Sequence, residues 1–572
     1  MPLEFRKEYF ADERDDDLAV IGKPVQRQDM VGHVTGRSPF YDDHLFDGLL
    51  HIRCVRSPHH AARVRRIDTT AAERMPGVRR IIRGADVPVN LNTLLSLLDF
   101  GLDDEPVLHT DLCGYRGAPV VAIAADTERQ AREACDAVRV DWEVLPHVLD
   151  PEEALRPGAP VVNPVYPGNL FIYHGKYDHQ KLRFGDVEAA FRQADRVIEG
   201  RYQMSPIEQA PMETCGAIAA PETNDRFVVH TCTQGLFFSL GTTAKLLDMS
   251  SARLHFIGGT VGGGFGGKVD SLHEPLAVLG AMLTGRPCKY MFDRAEEMQV
   301  GAPRGAERWY ITDGVMNDGR LVARRFVGYF DAGATTRLSS YAVVKCVGHL
   351  PGPYTIPNVH ADVYCVFTNR TPATAMRGFG VTGVDFAIES HMDVVAHEIG
   401  MDPFEFRILN AYRDGDMKAH RRVAKNCALV ECIQVAAEKA GVKLSPKALA
   451  ASSMTGGGEG WRGEIPNFTA TDENGRVSGF DTGAYARPRE EPRRAPEPAA
   501  APRAAPTTRH VPPRPEPSRP ARPEPPRERS PEPAARSPEP ASGGPERPDP
   551  SPPRTPRRGP TRFSSISGLR RR

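Results

Sequence analysis

The stretch GGTVGGGFGGKVD, residues 258–270, limits this chain more than any other, because seven of its thirteen residues are glycine. Such a run forfeits much chain entropy on ordering and packs few side chains in return. It therefore suits a place where main chain must come close to something else. A strand-like run, ARLHFIGG, precedes it, and a helix-like run, SLHEPLAVLGAMLTG, follows and stops at Gly285 and Pro287. A phosphate-binding P-loop would use Gly262, Gly267 and Lys268, but Val269 stands where Ser or Thr should hold magnesium. A dinucleotide fingerprint would use Gly262, Gly264 and Gly267, with Asp293 as the acidic ribose ligand. A third reading turns the loop's N–H groups toward a bulky anionic or oxo-bearing cofactor, with Phe265 as the one projecting side chain. A tight turn or close main-chain packing is the structural alternative.

Two other stretches favour the third reading. NRTPATAMRGFGVTG, residues 369–383, again sets glycines around a phenylalanine, as Gly378-Phe379-Gly380 after Arg377, and again precedes a helix pattern. CTQG places Gln234 at a strand end. Two GFG turns and a strand-end amide read as one site assembled from several loops.

Around these motifs the chain divides by pattern. Residues 20–150 alternate strands (LLHIRCVRS, VRRIIRG, APVVAIAA, VRVDWEVLP) with a helix, DTERQAREACDAV, that opens at Asp126 or Thr127. Residues 165–445 form a larger unit, with a strand RFVVHTCTQG and a hairpin turning at Asn317-Asp318-Gly319. VTGVDFAIESHMDVVAHEIG reads as a helix ending at Gly400. A second helix opens on Asp402 and Pro403 with Glu405 in capping-box position, and CALVECIQVAAEKAG is the last. Residues 446–572 read as linker and a Pro/Arg-rich tail that is too poor in large apolar residues to build a core and is expected to be disordered. Lys and Arg, 73 together, balance 73 Asp and Glu, which gives no nucleic-acid footprint. The ten cysteines form no C-x-x-C pair, so they predict neither zinc nor iron–sulfur ligation. No export signal and no long apolar run is evident, so the expected compartment is the cytoplasm, without membrane association.

Together the motifs resemble the xanthine dehydrogenase/aldehyde oxidase family, in its molybdopterin-binding large subunit. HVTGRSPFYDD, LLHIRCVRSPHHAARVRRID, MPGV and GYRGAPVVAIAAD resemble the family's N-terminal domain; GGGFGGK, MRGFG and TQG resemble its cofactor motifs. The resemblance runs over about residues 31–441. It implies an α+β (mixed α/β) fold: an α/β-hammerhead domain, then the first half of the molybdopterin-binding domain. It implies a molybdopterin cofactor, with the cytosine dinucleotide form as an option, whose molybdenum is held by the pterin and not by protein ligands. It implies oxidation of a small molecule, an aldehyde or N-heterocycle, with water as the oxygen source, and electron transfer to partner subunits carrying Fe–S clusters and FAD. By resemblance Gln234 directs its side-chain amide at a molybdenum oxygen. Gly263, Gly264, Phe265 and Gly266 face the cofactor, with the amides of Phe265 and Gly266 presented to it. Arg377, Gly378 and Phe379 line the pterin and substrate side, and Val269 and Phe379 border the substrate pocket.

The chain also departs from the family. Val269 replaces the glutamate of purine-oxidising members, which argues against purines. Family large subunits continue into a second half that carries the catalytic glutamate, and here the resemblance stops near Gly441. Glu459 in GGGEGW lies in linker-like sequence and takes no role. Either another polypeptide supplies the missing half, or the chain is a non-catalytic truncated relative; an NAD-binding dehydrogenase remains the alternative reading of the loop. The chain alone is expected to hold no stoichiometric molybdenum, and to expose an apolar face where the missing half would pack.

Overall fold

The run PVVAIAA has no polar side chain to turn toward water, and it becomes β5 (Pro119–Ala125), a strand buried on both faces. The computed structural model describes residues 25–452. Residues 1–24, Glu459 and nearly all of the segment 446–572 lie outside the described residues.

In β5, Val121 and Ile123 pack with Ile81 and Ala134 under the helix Glu128–Ala137, whereas Ala122 and Ala124 pack with Leu50, Ile52 and Ile82 under the helix Glu274–Thr284. The alternation of a strand thus feeds two covering helices. β5 pairs antiparallel with β1 (Leu50–Arg56) and β3 (Val78–Arg83). β1 pairs in parallel with β12 (Cys288–Met291), and the sheet continues through β9 (Gly216–Pro221), β10 (Phe227–Thr231) and β11 (Leu254–Gly258). Its order is β11-β10-β9-β12-β1-β5-β3. Strands from the first and second sequence regions therefore share one sheet.

A second sheet joins β7 (Gln180–Phe184), β8 (Arg196–Met204), β13 (Glu307–Val315), β14 (Leu321–Gly333) and β15 (Val359–Phe367), in the order β7-β15-β14-β13-β8. β13 and β14 are the expected hairpin, with Gly319 at φ 93°. The inner face packs Trp309, Ile311, Phe326 and Phe330 in one core with Val343, Ile388 and Met392, which come from the helices Ser339–Val347 and Thr382–Glu398. Within that core Arg324 and Asp313 form a fully buried two-point ion pair, at 2.7 and 2.5 Å. A small sheet joins β2 (Ala62–Asp68), β4 (Leu112–Cys113) and β6 (Arg139–Val144), with β2 in the middle.

The two helix starts read from cap residues are found, with one correction. Thr127 accepts from the Gln130 amide, and Asp402 accepts from the amides of Phe404 and Glu405. Glu405, however, does not close a capping box: its carboxylate accepts from the Ser445 amide at 2.6 Å. The nearby chain offers a donor that outcompetes the Asp402 amide. All ten cysteines are free. Among the described residues no group of His, Cys, Asp and Glu could hold a metal ion, and no helix is long and apolar enough to cross a membrane.

Candidate functional site

β10 and β11 run parallel with Thr231 opposite Gly258, so both strands end at the same edge. That shared end sets Gln234, just past β10, beside the glycine run that follows β11. The main-chain amide of Gln234 donates to the Lys268 carbonyl at 2.8 Å. Its side-chain carbonyl accepts from the amides of Gly266 at 2.9 Å and Lys268 at 3.3 Å. Two main-chain donors require the carbonyl end of the side chain there, which leaves Gln234 Nε2 facing outward. A Cβ on Gly264 would lie 2.4 Å from the Gln234 Cδ, so only glycine fits beneath this side chain. Between those contacts Gly263, Phe265 and Gly266 adopt φ of 93°, 51° and 97°. Phe265 is the unusual one: an L-residue in the left-handed region, 44% exposed.

The second GFG turn meets the first directly. The Arg377 amide donates to the Phe265 carbonyl at 2.8 Å. A Cβ on Gly266 would lie 2.6 Å from the Ala375 carbonyl oxygen, so main chain contacts main chain at the junction. A single site requires the two turns to share one place in the molecule, and they do. The amides of Gly263, Gly264, Phe265, Gly378 and Phe379 have no acceptor among the described residues. The helices Leu236–Leu246 and Thr382–Glu398 begin just after Gln234 and just after the second turn, and neither has a side-chain cap. Most of these residues are at least partly exposed, so water can serve their amides until a ligand's acceptors replace it. This cluster, with the outward Gln234 Nε2, therefore fits an anionic, oxygen-rich group such as molybdopterin.

Beneath the loops lie residues that spacing does not reveal. Glu213 accepts from the Gly262 amide at 2.7 Å and from the Lys268 ammonium at 2.8 Å. Gln209 donates to the Ala375 carbonyl at 2.7 Å. Lys268 is thus consumed by Glu213 and does not project as a P-loop lysine would. Asp293, the residue offered as a ribose ligand, caps the helix Arg294–Val300 through the Glu296 amide at 2.8 Å and pairs with Arg132 at 3.0 Å. The Gly266 amide, expected at the cofactor, instead serves Gln234, because a side-chain carbonyl reaches it from the neighbouring strand end.

On the pocket side, Val269 and Phe379 are partly buried in one apolar cluster with Leu94, Leu95, Leu338 and Ala375. Arg377 is exposed. Thr374 donates to the buried Asp270, which links the ends of the two loops. Burial pushes the Asp270 carboxyl up to about 6, against the pull of Arg337. Arg337, at φ 36° and 3% exposed, pairs with Glu105 at 2.9 Å. Burial opposes ionisation of Glu105, but Arg337 outweighs it and holds the carboxyl below its usual range. Asp270, Ser271, Arg337, Glu105 and Asn92 line a cavity of about 60 Å³.

Comparisons with known proteins bear on the family. The family model for the aldehyde oxidase and xanthine dehydrogenase a/b hammerhead domain matches residues 35–146, and that for the molybdopterin cofactor-binding domain matches residues 171–411. The chain is 30% identical over 427 residues to the nicotinate dehydrogenase large molybdopterin subunit of Eubacterium barkeri, covering 74% of this chain and 97% of that protein. It is 32% identical over 404 residues to the nicotine 6-hydroxylase large subunit of Paenarthrobacter nicotinovorans, covering 69% of this chain and 49% of that one. Among solved structures it resembles the aldehyde oxidoreductase of Desulfovibrio gigas, with a TM-score of 0.68 and 28% identity over 73% of this chain and 47% of that one. The chain thus spans about half the length, or less, of the other curated relatives it matches, yet nearly the whole of the nicotinate dehydrogenase subunit. The chain belongs to the xanthine dehydrogenase and aldehyde oxidase family of molybdenum-dependent oxidoreductases.

Proposed function

We propose that this chain is the first, pterin-holding half of a molybdenum hydroxylase that oxidises an aldehyde or N-heterocycle, and that a second polypeptide completes the site. The observation that carries this reading is the junction of the two GFG turns, where main-chain amides without acceptors gather around Gln234 Nε2. When bound, the molybdenum cofactor supplies a two-electron oxidation that places oxygen from water on a substrate carbon. The amides of Gly263, Gly264 and Phe265 would hold its anionic face, and Gln234 Nε2 would donate a hydrogen bond to it. The uncapped starts of the helices Leu236–Leu246 and Thr382–Glu398 suit a phosphate, which both the simple and the cytosine dinucleotide forms of the cofactor carry. Val269 and Phe379 would give the substrate an apolar wall, and Val269 offers no carboxylate to steady a purine, which favours an aldehyde or a non-purine N-heterocycle.

Two observations support the second polypeptide. One relative called a large molybdopterin subunit is matched over 97% of its length, so this length occurs in a working context. Large apolar side chains also rim the site: Met212 is 95% exposed and Phe237 83%, with Phe40 and Phe238 at the edges of Gly262 and Gly235. Such a rim on one face marks an interface. The general base is assigned to that polypeptide, and the Fe–S and FAD centres to further subunits, in keeping with the subunit names of the relatives.

The test is co-expression with a polypeptide homologous to the second half of the single-chain relatives, followed by molybdenum and pterin analysis. One molybdenum and one pterin per complex, with none stoichiometric on the chain alone, is the expected result. A complex devoid of pterin would refute the reading. One molybdenum on the isolated chain, with turnover of an aldehyde or N-heterocycle, would refute the need for a second polypeptide.

A further inference from the structure

Residues 209–213 pass beneath both glycine loops and fasten each of them. At one end, Gln209 Nε2 donates to the carbonyls of Ala375 and Ala302, both at 2.7 Å. Its side chain lies 2.9 Å from where a Cβ on Gly267 would stand. At the other end Glu213 holds the first loop at three points. Its amide donates to the Gly262 carbonyl at 3.1 Å, and its Oε2 accepts from the Gly262 amide at 2.7 Å and from Lys268 Nζ at 2.8 Å. Lys268 is 1% exposed and Glu213 11%, so the pair is inside the protein. Between Gln209 and Glu213, Ala210 takes φ 46°, and Arg294 fastens the bend by donating to the carbonyls of Pro211 and Met212.

One carboxylate oxygen therefore ties residue 262 to residue 268 across the loop that contains Gly263, Gly264 and Phe265. Those three carry the amides without acceptors. A buried ion pair can be replaced by apolar side chains with little effect on stability. Apolar side chains cannot, however, accept from the Gly262 amide. The charge of the pair is thus dispensable in principle, and the acceptor is not.

We propose that residues 209–213 are the positioning element of the cofactor site, with Glu213 acting on the free amides through Gly262 and Lys268, and Gln209 holding the second loop in register. Its meaning for the cofactor rests on the function proposed above; the mechanical role does not.

Two double variants of the full chain separate positioning from simple core stability. Glu213→Leu with Lys268→Met removes the charges and the acceptor. Glu213→Gln with Lys268→Met removes the charges and keeps the acceptor. Hydrogen exchange is followed at the amides of Gly262, Gly266 and Arg377, with the helix Glu274–Thr284 as internal reference. In the leucine pair these amides are expected to exchange at least tenfold faster than in the wild type, with the reference helix unchanged. In the glutamine pair they are expected to stay within threefold of wild type. Loss of protection in both variants, or in neither, overturns the proposal. Pterin content is read separately on the completed complex: a wild type that holds none sinks the functional reading and leaves the exchange result to decide this one.

Discussion

The Arg377 amide and the Phe265 carbonyl stand 2.8 Å apart, and this single main-chain bond joins two loops from opposite halves of the cofactor-binding region. Nothing larger than hydrogen can stand beside it on Gly266, whose Cβ would reach within 2.6 Å of the Ala375 oxygen. Gly266→Ala is expected to lose about 2–4 kcal/mol by thermal denaturation, from left-handed backbone and collision together. Gly285→Ala is the control: its φ is 66° but nothing lies within 4 Å, so it should lose only about 1 kcal/mol.

Gln234 separates two roles in one side chain. Gln234→Ala removes the acceptor of two amides and is expected to cost about 1–3 kcal/mol of stability. Gln234→Glu keeps that acceptor and replaces the outward Nε2 with oxygen. It should melt close to wild type while losing pterin at least tenfold, as measured by pterin fluorescence after release.

Asp270 should give a pH signature. Its carboxyl is raised to about 6 by burial, so the folded state binds a proton more tightly than the unfolded chain. Its contribution is fully present below the ordinary carboxyl range and is lost as pH rises through about 6. Asp270→Asn should therefore gain stability relative to wild type between pH 4 and pH 7, by an upper limit of roughly 3 kcal/mol. Melting curves of both proteins across that range check it; a constant difference would contradict it.

The second sheet depends on a charge pair in its core. Arg324→Met leaves Asp313 buried without its partner and is expected to cost about 3–5 kcal/mol. Adding Asp313→Leu should restore most of the loss, as read by denaturant titration.

The apolar rim predicts self-association. Met212→Asp with Phe237→Asp should shift the isolated chain toward monomer in sedimentation experiments and abolish capture of the completing polypeptide. Both side chains are almost fully exposed, so stability should change by no more than about 0.5 kcal/mol per site.

Glycine makes the two loops legible, because a run without side chains has few uses, and the caps at Thr127 and Asp402 make two helix starts legible too. What stays hidden depends on long-range placement. Glu213 and Gln209 have no fixed spacing from the loops they hold, and an ordinary glutamate gives no signal. The orientation of Gln234 is set by two amides that sequence does not place, so the Gly266 amide reads as outward when it points to Gln234. Arg337 and Glu105 meet only because the N-terminal region folds against the second. The parallel pairing of β1 with β12 is likewise invisible to local pattern, which divides the chain between residues 150 and 165.

That pairing has a consequence for anyone who would dissect the molecule. A seam in the sequence is not a seam in the sheet. A fragment ending near residue 150 would carry β1 with an open edge where β12 belongs, and the remainder would expose the complementary edge. Neither piece is expected to fold on its own, but a chain nicked at the connection should hold together, its ends stitched by paired strands.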